Sequence, residues 1–190
     1  MPLTALDPNT ALIVVDLQKG IVNGNFIHPI GEVIDRTRAL LNVFRTQRLP
    51  VVLVNVAGRA PGRTEHGPRS NTSLSEGWTD LLPQLNQKPG DLVVTKRSWG
   101  AFATTDLEQQ LKARGVTQVV VTGVVTSTGV EATARQAYEQ GFNVTLAVDA
   151  MTDLQKEAHE YSIRSVFPRL GETGTTQEII SLLEKRSSAL

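Results

Sequence analysis

The chain has 190 residues, a length typical of one globular domain, and it contains no cysteine. Lys and Arg number 19 and Asp and Glu number 19, so the formal net charge at pH 7 is zero. This balance gives no electrostatic signal for nucleic acid or for an anionic membrane surface as a partner. The absence of cysteine excludes disulfides, thiolate metal sites, iron–sulfur clusters and a cysteine nucleophile.

The hydrophobic pattern alternates between strands and helices along the chain. Short apolar, β-branched runs predict buried strands at residues 11–16, 51–56, 91–96, 117–122 and 142–149. Apolar residues at helical spacing predict helices at residues 33–44, 106–114, 129–140, 155–167 and 176–186. Repeated strand–helix–strand units of this length imply a parallel sheet with helices on both faces. The predicted fold is therefore one α/β domain over residues 1–190, with three αβα layers.

Residues 57–79 interrupt this pattern. The segment is rich in Gly, Pro, Ser, Thr and Arg, and no hydrophobic period runs through it. A loop of about 20 residues is uncommon inside a compact domain and is usually functional or mobile. We expect either a disordered surface excursion or a lid that closes over a substrate.

Polar residues stand at the ends of the predicted strands. Asp16 ends the first strand, with Gln18 two residues later, Asn55 ends the second and Lys96 ends the third. The fourth strand runs into the segment 123–129, which begins and ends with glycine and precedes a helix. Ligands of open parallel sheets bind beyond the carboxyl ends of the strands. We therefore expect these residues to converge in one crevice.

Each of these residues also has a structural interpretation. Asp16 could cap the next helix or pair with a basic residue, and Lys96 could be an ordinary ion-pair partner. The segment 123–129 lacks both the G-x-G-x-x-G spacing and a terminal Gly-Lys-Ser/Thr, so nucleotide binding is not predicted.

Other polar residues are assigned structural positions. His66 and His159 are expected at the surface, and Asp149 and Asp153 are expected to serve turns or helix caps. His28, His66 and His159 are too scattered for a local zinc motif. We predict no metal ligands and no cofactor.

Several segments resemble the isochorismatase-like hydrolase superfamily, which also contains nicotinamidases and related cysteine amidases. They are, in chain order, ALIVVDLQKG (11–20), VVLVNVAGR (51–59), VVTKRSWGAFATTDLEQQLKARGV (93–116), VVVTGVVTSTGVEATARQAYEQGFNVTLAVDAMTD (119–153) and GETGTTQEI (171–179). The resemblance implies a six-stranded, mostly parallel Rossmann-like sheet whose short last strand lies near residues 171–174. It also implies a homo-oligomer, dimeric or tetrameric.

The resemblance assigns roles to matching residues. Asp16 matches the family's catalytic aspartate and Lys96 its catalytic lysine, whereas Gly129 stands where a cysteine nucleophile is usual. The branch with glycine there contains isochorismatases, which hydrolyse a vinyl ether without a covalent intermediate. A cis peptide bond is expected at Val124–Val125, aiming the amides of Val125 and Gly129 into the pocket. The metal ligands of nicotinamidases are unmatched, because residues 55–58 read Asn-Val-Ala-Gly.

The resulting hypothesis is acid-catalysed hydrolysis of a small, isochorismate-like substrate. Asp16 would be the general acid, and Lys96 would hold a substrate carboxylate or orient the attacking water. Gly129 would leave room for the substrate and offer its amide to an oxygen. Arg59 and Arg63 are candidate carboxylate clamps. The full set of predicted substrate-binding residues is Gln18, Asn55, Arg59, Arg63, Trp99 and Val125.

Two alternatives remain at this point. The same pocket could hydrolyse another small substrate with water activated by Asp16 and Lys96, or the chain could be a non-catalytic member that binds a small molecule. The first residues, MPLTALDPNT, lack the basic and apolar regions of a signal peptide. We therefore expect a cytoplasmic protein with a small-molecule substrate and no nucleic-acid or membrane partner.

Overall fold

A computed structural model describes residues 3–65 and 74–187. The strands are β1 (Thr10–Val15), β2 (Val51–Val56), β3 (Leu92–Lys96), β4 (Gln118–Val124), β5 (Asn143–Thr152) and β6 (Glu172–Gly174). The α-helices are α1 (Ile30–Thr46), α2 (Leu107–Ala113), α3 (Glu131–Glu139), α4 (Lys156–Tyr161) and α5 (Thr176–Ser187). The predicted alternation of strands and helices is confirmed.

The strands form one parallel sheet in the order β3-β2-β1-β4-β5-β6. The chain builds outward from β1 through β2 to β3, and then crosses to the other side of β1 for β4. The order therefore reverses between β1 and β4, and a crevice opens at such a switch point beyond the carboxyl ends of the strands. This places the end of β1 and the turn after β4 side by side.

Helices cover both faces of the sheet and give it three layers. All six residues of β1 are buried, as expected of a central parallel strand. Ile13 and Val15 pack in the apolar cluster that includes α2 and α3, whereas Leu12 and Val14 pack in the cluster that includes α1 and α5. Burial on both faces explains why β1 reads as a continuous apolar run.

Strand β5 continues beyond its predicted end at residue 149. The pairing of β4 with β5 shifts register between Val121 and Gly123, and beyond the shift Gly123 pairs with Met151. Asp149 consequently lies inside the strand. Its Oδ1 accepts hydrogen bonds from the backbone N (2.7 Å) and the hydroxyl (2.9 Å) of Thr176, at the start of α5, so the expected capping role is present.

Two predicted helices begin or end with wider turns. A π-helical turn at Thr126–Val130 precedes α3, and another at Ser162–Val166 follows α4. None of the helices in residues 3–65 and 74–187 is long and apolar enough to cross a membrane.

Part of the long loop lies outside the described residues, namely residues 66–73 with His66. Its returning end pairs with the segment after β1. Gln18 and Leu81 form an isolated antiparallel bridge, and the backbone N of Gly20 donates to Trp78 O over 3.0 Å. Whether residues 57–79 act as a lid stays a prediction.

Candidate active site

Asp16 follows the last residue of β1 and is almost completely buried, with 6 % of its surface exposed. Its backbone N still donates to Val54 O of β2 (3.0 Å), so the residue is held at the sheet edge. Its φ of 53° lies in the left-handed region, which aspartate tolerates better than most residues. The chain turns away from the sheet at this residue.

Lys96 is the last residue of β3 and reaches Asp16 from two strands away. It is 1 % exposed, and its Nζ donates to Asp16 Oδ2 over 2.7 Å. The same ammonium donates to the carbonyls of Trp99 (2.7 Å) and Ser98 (3.3 Å). An ammonium has three N–H donors, and here all three are engaged. A substrate can therefore bind Lys96 only by replacing one of these acceptors, of which Ser98 O is the most distant.

The two oxygens of the Asp16 carboxyl differ in their partners. Oδ2 accepts from Lys96, whereas Oδ1 is buried and has no hydrogen-bond partner among the described residues. Burial raises the pKa of Asp16 to about 6, outweighing the lowering effect of Lys96. A carboxyl in this state exchanges a proton readily near neutral pH.

The turn after β4 lies against Asp16. Val124 and Val125 are joined by a cis peptide bond, as expected from the family resemblance. Gly129, in the π-helical turn that follows, is buried, and a Cβ on it would lie 3.1 Å from Asp16 Oδ2, Val124 O and Val15 Cγ1. Gly123 has a φ of 112°, and a Cβ there would collide with Val15 O. The two glycines let the backbone of the turn approach β1 closely.

The sequence of residues 10–178 matches the family model that describes the isochorismatase domain. The uncharacterized isochorismatase family protein YwoC of Bacillus subtilis is 37 % identical to this chain, over 90 % of this chain and 92 % of its own. A solved structure of an isochorismatase family protein from Burkholderia thailandensis is 38 % identical, with a TM-score of 0.89 over 95 % of this chain and 98 % of its own. The chain belongs to the isochorismatase family.

The isochorismatase-family relatives differ in the substrates for which they are named. One that matches this chain is the streptothricin hydrolase of Streptomyces noursei, 41 % identical over 74 % of this chain and 48 % of its own length. The chain is therefore an isochorismatase-family hydrolase, and membership of the family does not specify its substrate.

In this hydrolase, Asp153 and His159 contact the turn that carries Gly129 and hold it in place. Asp153 Oδ2 accepts from the backbone N of Ser127 (2.7 Å), and His159 Nδ1 lies 2.9 Å from the hydroxyl of Thr126. Asp153 therefore has the expected capping role. The prediction that His159 is a surface residue is wrong: it is 7 % exposed, because α4 packs its side chain against the turn.

His159 also contacts a second histidine. Its ring lies edge-on to the ring of His28, with 5.0 Å between centroids. Burial, reinforced by His28, lowers the pKa of His159. Within residues 3–65 and 74–187, no group of three or more His, Asp or Glu side chains is arranged to hold a metal ion.

Gln18 and Asn55 hold the returning end of the long loop. The Gln18 amide donates to Val56 O (3.1 Å) and Trp78 O (3.0 Å) and accepts from the backbone N of Val56 (2.7 Å). The Asn55 amide donates to Thr79 O (2.8 Å). Both side chains thus tie the loop to β2, a role that the sequence did not indicate.

The remaining predicted substrate-binding residues differ in how they relate to the Asp16–Lys96 pair. The Trp99 side chain is exposed, while its carbonyl binds Lys96. Val125 is partly buried, and its carbonyl accepts from the backbone N of Val130 (3.1 Å). Arg59 and Arg63 are exposed in the segment after β2, and in the described part of the chain neither is hydrogen-bonded to the pair.

Proposed function

We propose that this protein hydrolyses a small vinyl-ether substrate of the isochorismate type, with Asp16 as general acid and with no covalent intermediate. The observation that carries the proposal is the Asp16 carboxyl. It is buried, has a pKa raised to about 6 and keeps Oδ1 free of partners among the described residues. Beside it, the chain has Gly129 and no cysteine, so the acyl-enzyme route of a thiolate is closed.

The reaction begins with transfer of the Asp16 proton to the terminal methylene carbon of the vinyl ether. The C=C electron pair forms the new C–H bond, and the ether oxygen shares the resulting positive charge as an oxocarbenium ion. Water adds to this cation and returns a proton to the Asp16 carboxylate. The hemiketal then collapses to a carbonyl compound and an alcohol, so one water is consumed and the acid is restored.

Lys96 and Gly129 support this chemistry in different ways. The ammonium at 2.7 Å stabilises the carboxylate that Asp16 becomes after it gives up its proton. If the bound substrate displaces Ser98 O, Lys96 also holds a substrate carboxylate or orients the water. Gly129 keeps a side chain away from Asp16, because a Cβ there would lie 3.1 Å from Oδ2. Arg59 and Arg63 supply carboxylate clamps from the segment after β2.

The pH dependence of isochorismate turnover tests this proposal. An acid must be protonated in the free enzyme, so kcat/KM falls roughly tenfold per pH unit above the pKa of Asp16, which is about 6. A bound anionic substrate raises that pKa further, which moves the falling limb of kcat to higher pH. Absence of turnover, or a flat profile through pH 6, would overturn the proposal.

A second candidate function uses the same carboxyl as a base. With a pKa of about 6, Asp16 is mostly ionised at neutral pH and can take a proton from water that attacks another small substrate. The ureidoacrylate amidohydrolases among the relatives favour testing amides as well. For such a substrate kcat/KM falls below pH 6 rather than above it. A non-catalytic binder would turn over neither class.

We also propose that residues 1–190 form a single domain. The protein is cytoplasmic and assembles as a homo-oligomer, a dimer or tetramer. The family resemblance supports the oligomer. Multi-angle light scattering of the purified protein gives the number of chains, and a monomer mass would refute it.

A further inference from the structure

The position of Lys96 depends on the loop that follows β3. Two of the three acceptors of its ammonium are backbone carbonyls of this loop, those of Ser98 and Trp99. The Ser98 hydroxyl in turn donates to Gly100 O over 3.1 Å. Whatever holds this loop in place therefore also holds the Lys96 ammonium against Asp16.

Helix α3 holds the loop through Thr133. The Thr133 hydroxyl accepts from the backbone N of Ala101 over 3.2 Å and donates to Gly129 O over 2.7 Å. Both hydrogen bonds are buried, and a hydroxyl has the one proton and the lone pairs that both require. One side chain thus joins the loop that holds Lys96 to the turn that lies against Asp16.

Gln136, one turn further along α3, provides a second attachment. Its Oε1 accepts from the backbone N of Phe102 (2.9 Å) and of Ala103 (3.3 Å). A Cβ on Gly100 would collide with the Gln136 amide, so the loop passes directly over this side chain. The loop is therefore seated on α3 at two adjacent points.

We propose that Thr133 is a positioning residue, which sets the alignment of Lys96 with Asp16 by tying both of their supporting segments to α3. The inference rests on the proposed function only in treating Asp16 as the acid. Without the hydroxyl, the buried backbone N of Ala101 loses its hydrogen-bond partner, and the loop relaxes to satisfy it. Ser98 and Trp99 move with the loop, and the contact between Lys96 and Asp16 weakens.

The decisive experiment measures the pKa of Asp16 directly. The protein is labelled with carbon-13 at the aspartate carboxyls and titrated by NMR. The Asp16 signal is assigned by its loss in Asp16→Asn. In Thr133→Val, the weaker influence of Lys96 raises the pKa of Asp16 by about half a unit or more. Thr133→Ser, which keeps the hydroxyl, gives the wild-type value.

A matched control separates this effect from general destabilisation. Thr37 is also a fully buried helical threonine, but its hydroxyl pairs with that of Thr122 (3.4 Å) on α1's side of the sheet. Thr37→Val therefore lowers the melting temperature without moving the titration of Asp16. If Thr133→Val does not fold, Gln136→Leu tests the second attachment and moves the titration in the same direction.

The proposal is overturned if the Asp16 titration is unchanged in folded Thr133→Val, or in Gln136→Leu where Thr133→Val does not fold. It is also overturned if the titration moves in Thr37→Val. The measurement needs no substrate, so its result is independent of whether isochorismate is turned over. Where turnover is found, Thr133→Val also moves the falling limb of kcat/KM to higher pH, and Thr133→Ser restores it.

Discussion

Strand β3 has a buried aspartate in an ion pair at each of its two ends. At its start, Asp91 pairs with Arg45 of α1, whose Nη2 lies 2.6 Å from Oδ2 and whose Nε lies 3.2 Å from Oδ1. At its finish, Lys96 pairs with Asp16. The aspartate side chains are 3 % and 8 % exposed, so burial alone does not distinguish them.

The two ion pairs differ in how many carboxylate oxygens have a hydrogen-bond partner. Both oxygens of Asp91 are engaged by the guanidinium, and Oδ2 also accepts from the backbone N of Lys88 (2.8 Å). Asp16 has one engaged oxygen and one buried oxygen without a partner among the described residues. A buried acceptor without a donor is costly unless a ligand or proton completes it. The unpaired oxygen, rather than the ion pair, therefore distinguishes the carboxyl of the proposed acid from that of Asp91.

The largest expected contrast is in turnover. Asp16→Asn keeps the shape of the side chain but cannot deliver a proton, so isochorismate hydrolysis should fall by about 10²- to 10⁴-fold. Asp91→Asn serves as the control, because it changes the buried aspartate of the ion pair at the other end of β3. It should lower stability while leaving kcat/KM near the wild-type value. Equal losses in the two variants would refute the assignment of Asp16 as the acid.

The second contrast is in the pH dependence of stability. Asp16 has a pKa of about 6 in the folded protein against an ordinary value of 3.8, so the folded state binds its proton more tightly. The resulting stabilisation is present below pH 4 and is lost as the pH rises through 6, a change of about 3 kcal/mol. Urea unfolding of wild type and Asp16→Asn at several pH values measures it. The wild type should lose stability relative to the variant as the pH rises, and a relative gain would contradict the raised pKa.

The smallest expected contrast concerns the guanidinium. Arg45→Lys keeps the charge but loses the two-pronged contact with Asp91, so the free energy of unfolding should fall by about 1–2 kcal/mol. Arg38→Lys, at an exposed pair with Asp35, should change it little. Urea unfolding at neutral pH compares them. Arg45→Lys should leave the Asp16 titration unchanged, and a shift there would mean that the two ends of β3 are coupled.

Much of this architecture follows from the sequence, because the apolar runs and the strand–helix alternation dictate a parallel sheet. The convergence of Asp16 and Lys96 follows from their places at strand ends, together with the family resemblance. The cis bond at Val124–Val125 follows from the resemblance alone. The end of β5 did not follow, because a register shift against β4 depends on pairing between distant segments.

The contacts that the sequence did not indicate have a common cause. His159 lies on a short amphipathic helix, and its burial depends on which side of α4 faces the turn. Thr133 reads as an ordinary helical residue, yet its hydroxyl joins the loop after β3 to the turn that begins its own helix. Gln18 and Asn55 follow strands as ligand-binding residues do, but their amides bind backbone groups of the returning loop. Hydrogen bonds of this kind depend on tertiary contacts.

The narrow space around Gly129 limits the introduction of a cysteine nucleophile at this position. Gly129→Cys would place its Cβ 3.1 Å from three atoms, so the nucleophile must first be accommodated by its neighbours. Of the three, Val124 O belongs to the backbone and Asp16 Oδ2 to the proposed acid, which leaves the Val15 methyl as the group to remove. Combining Gly129→Cys with Val15→Ala is therefore the more promising route from this hydrolase toward a cysteine amidase.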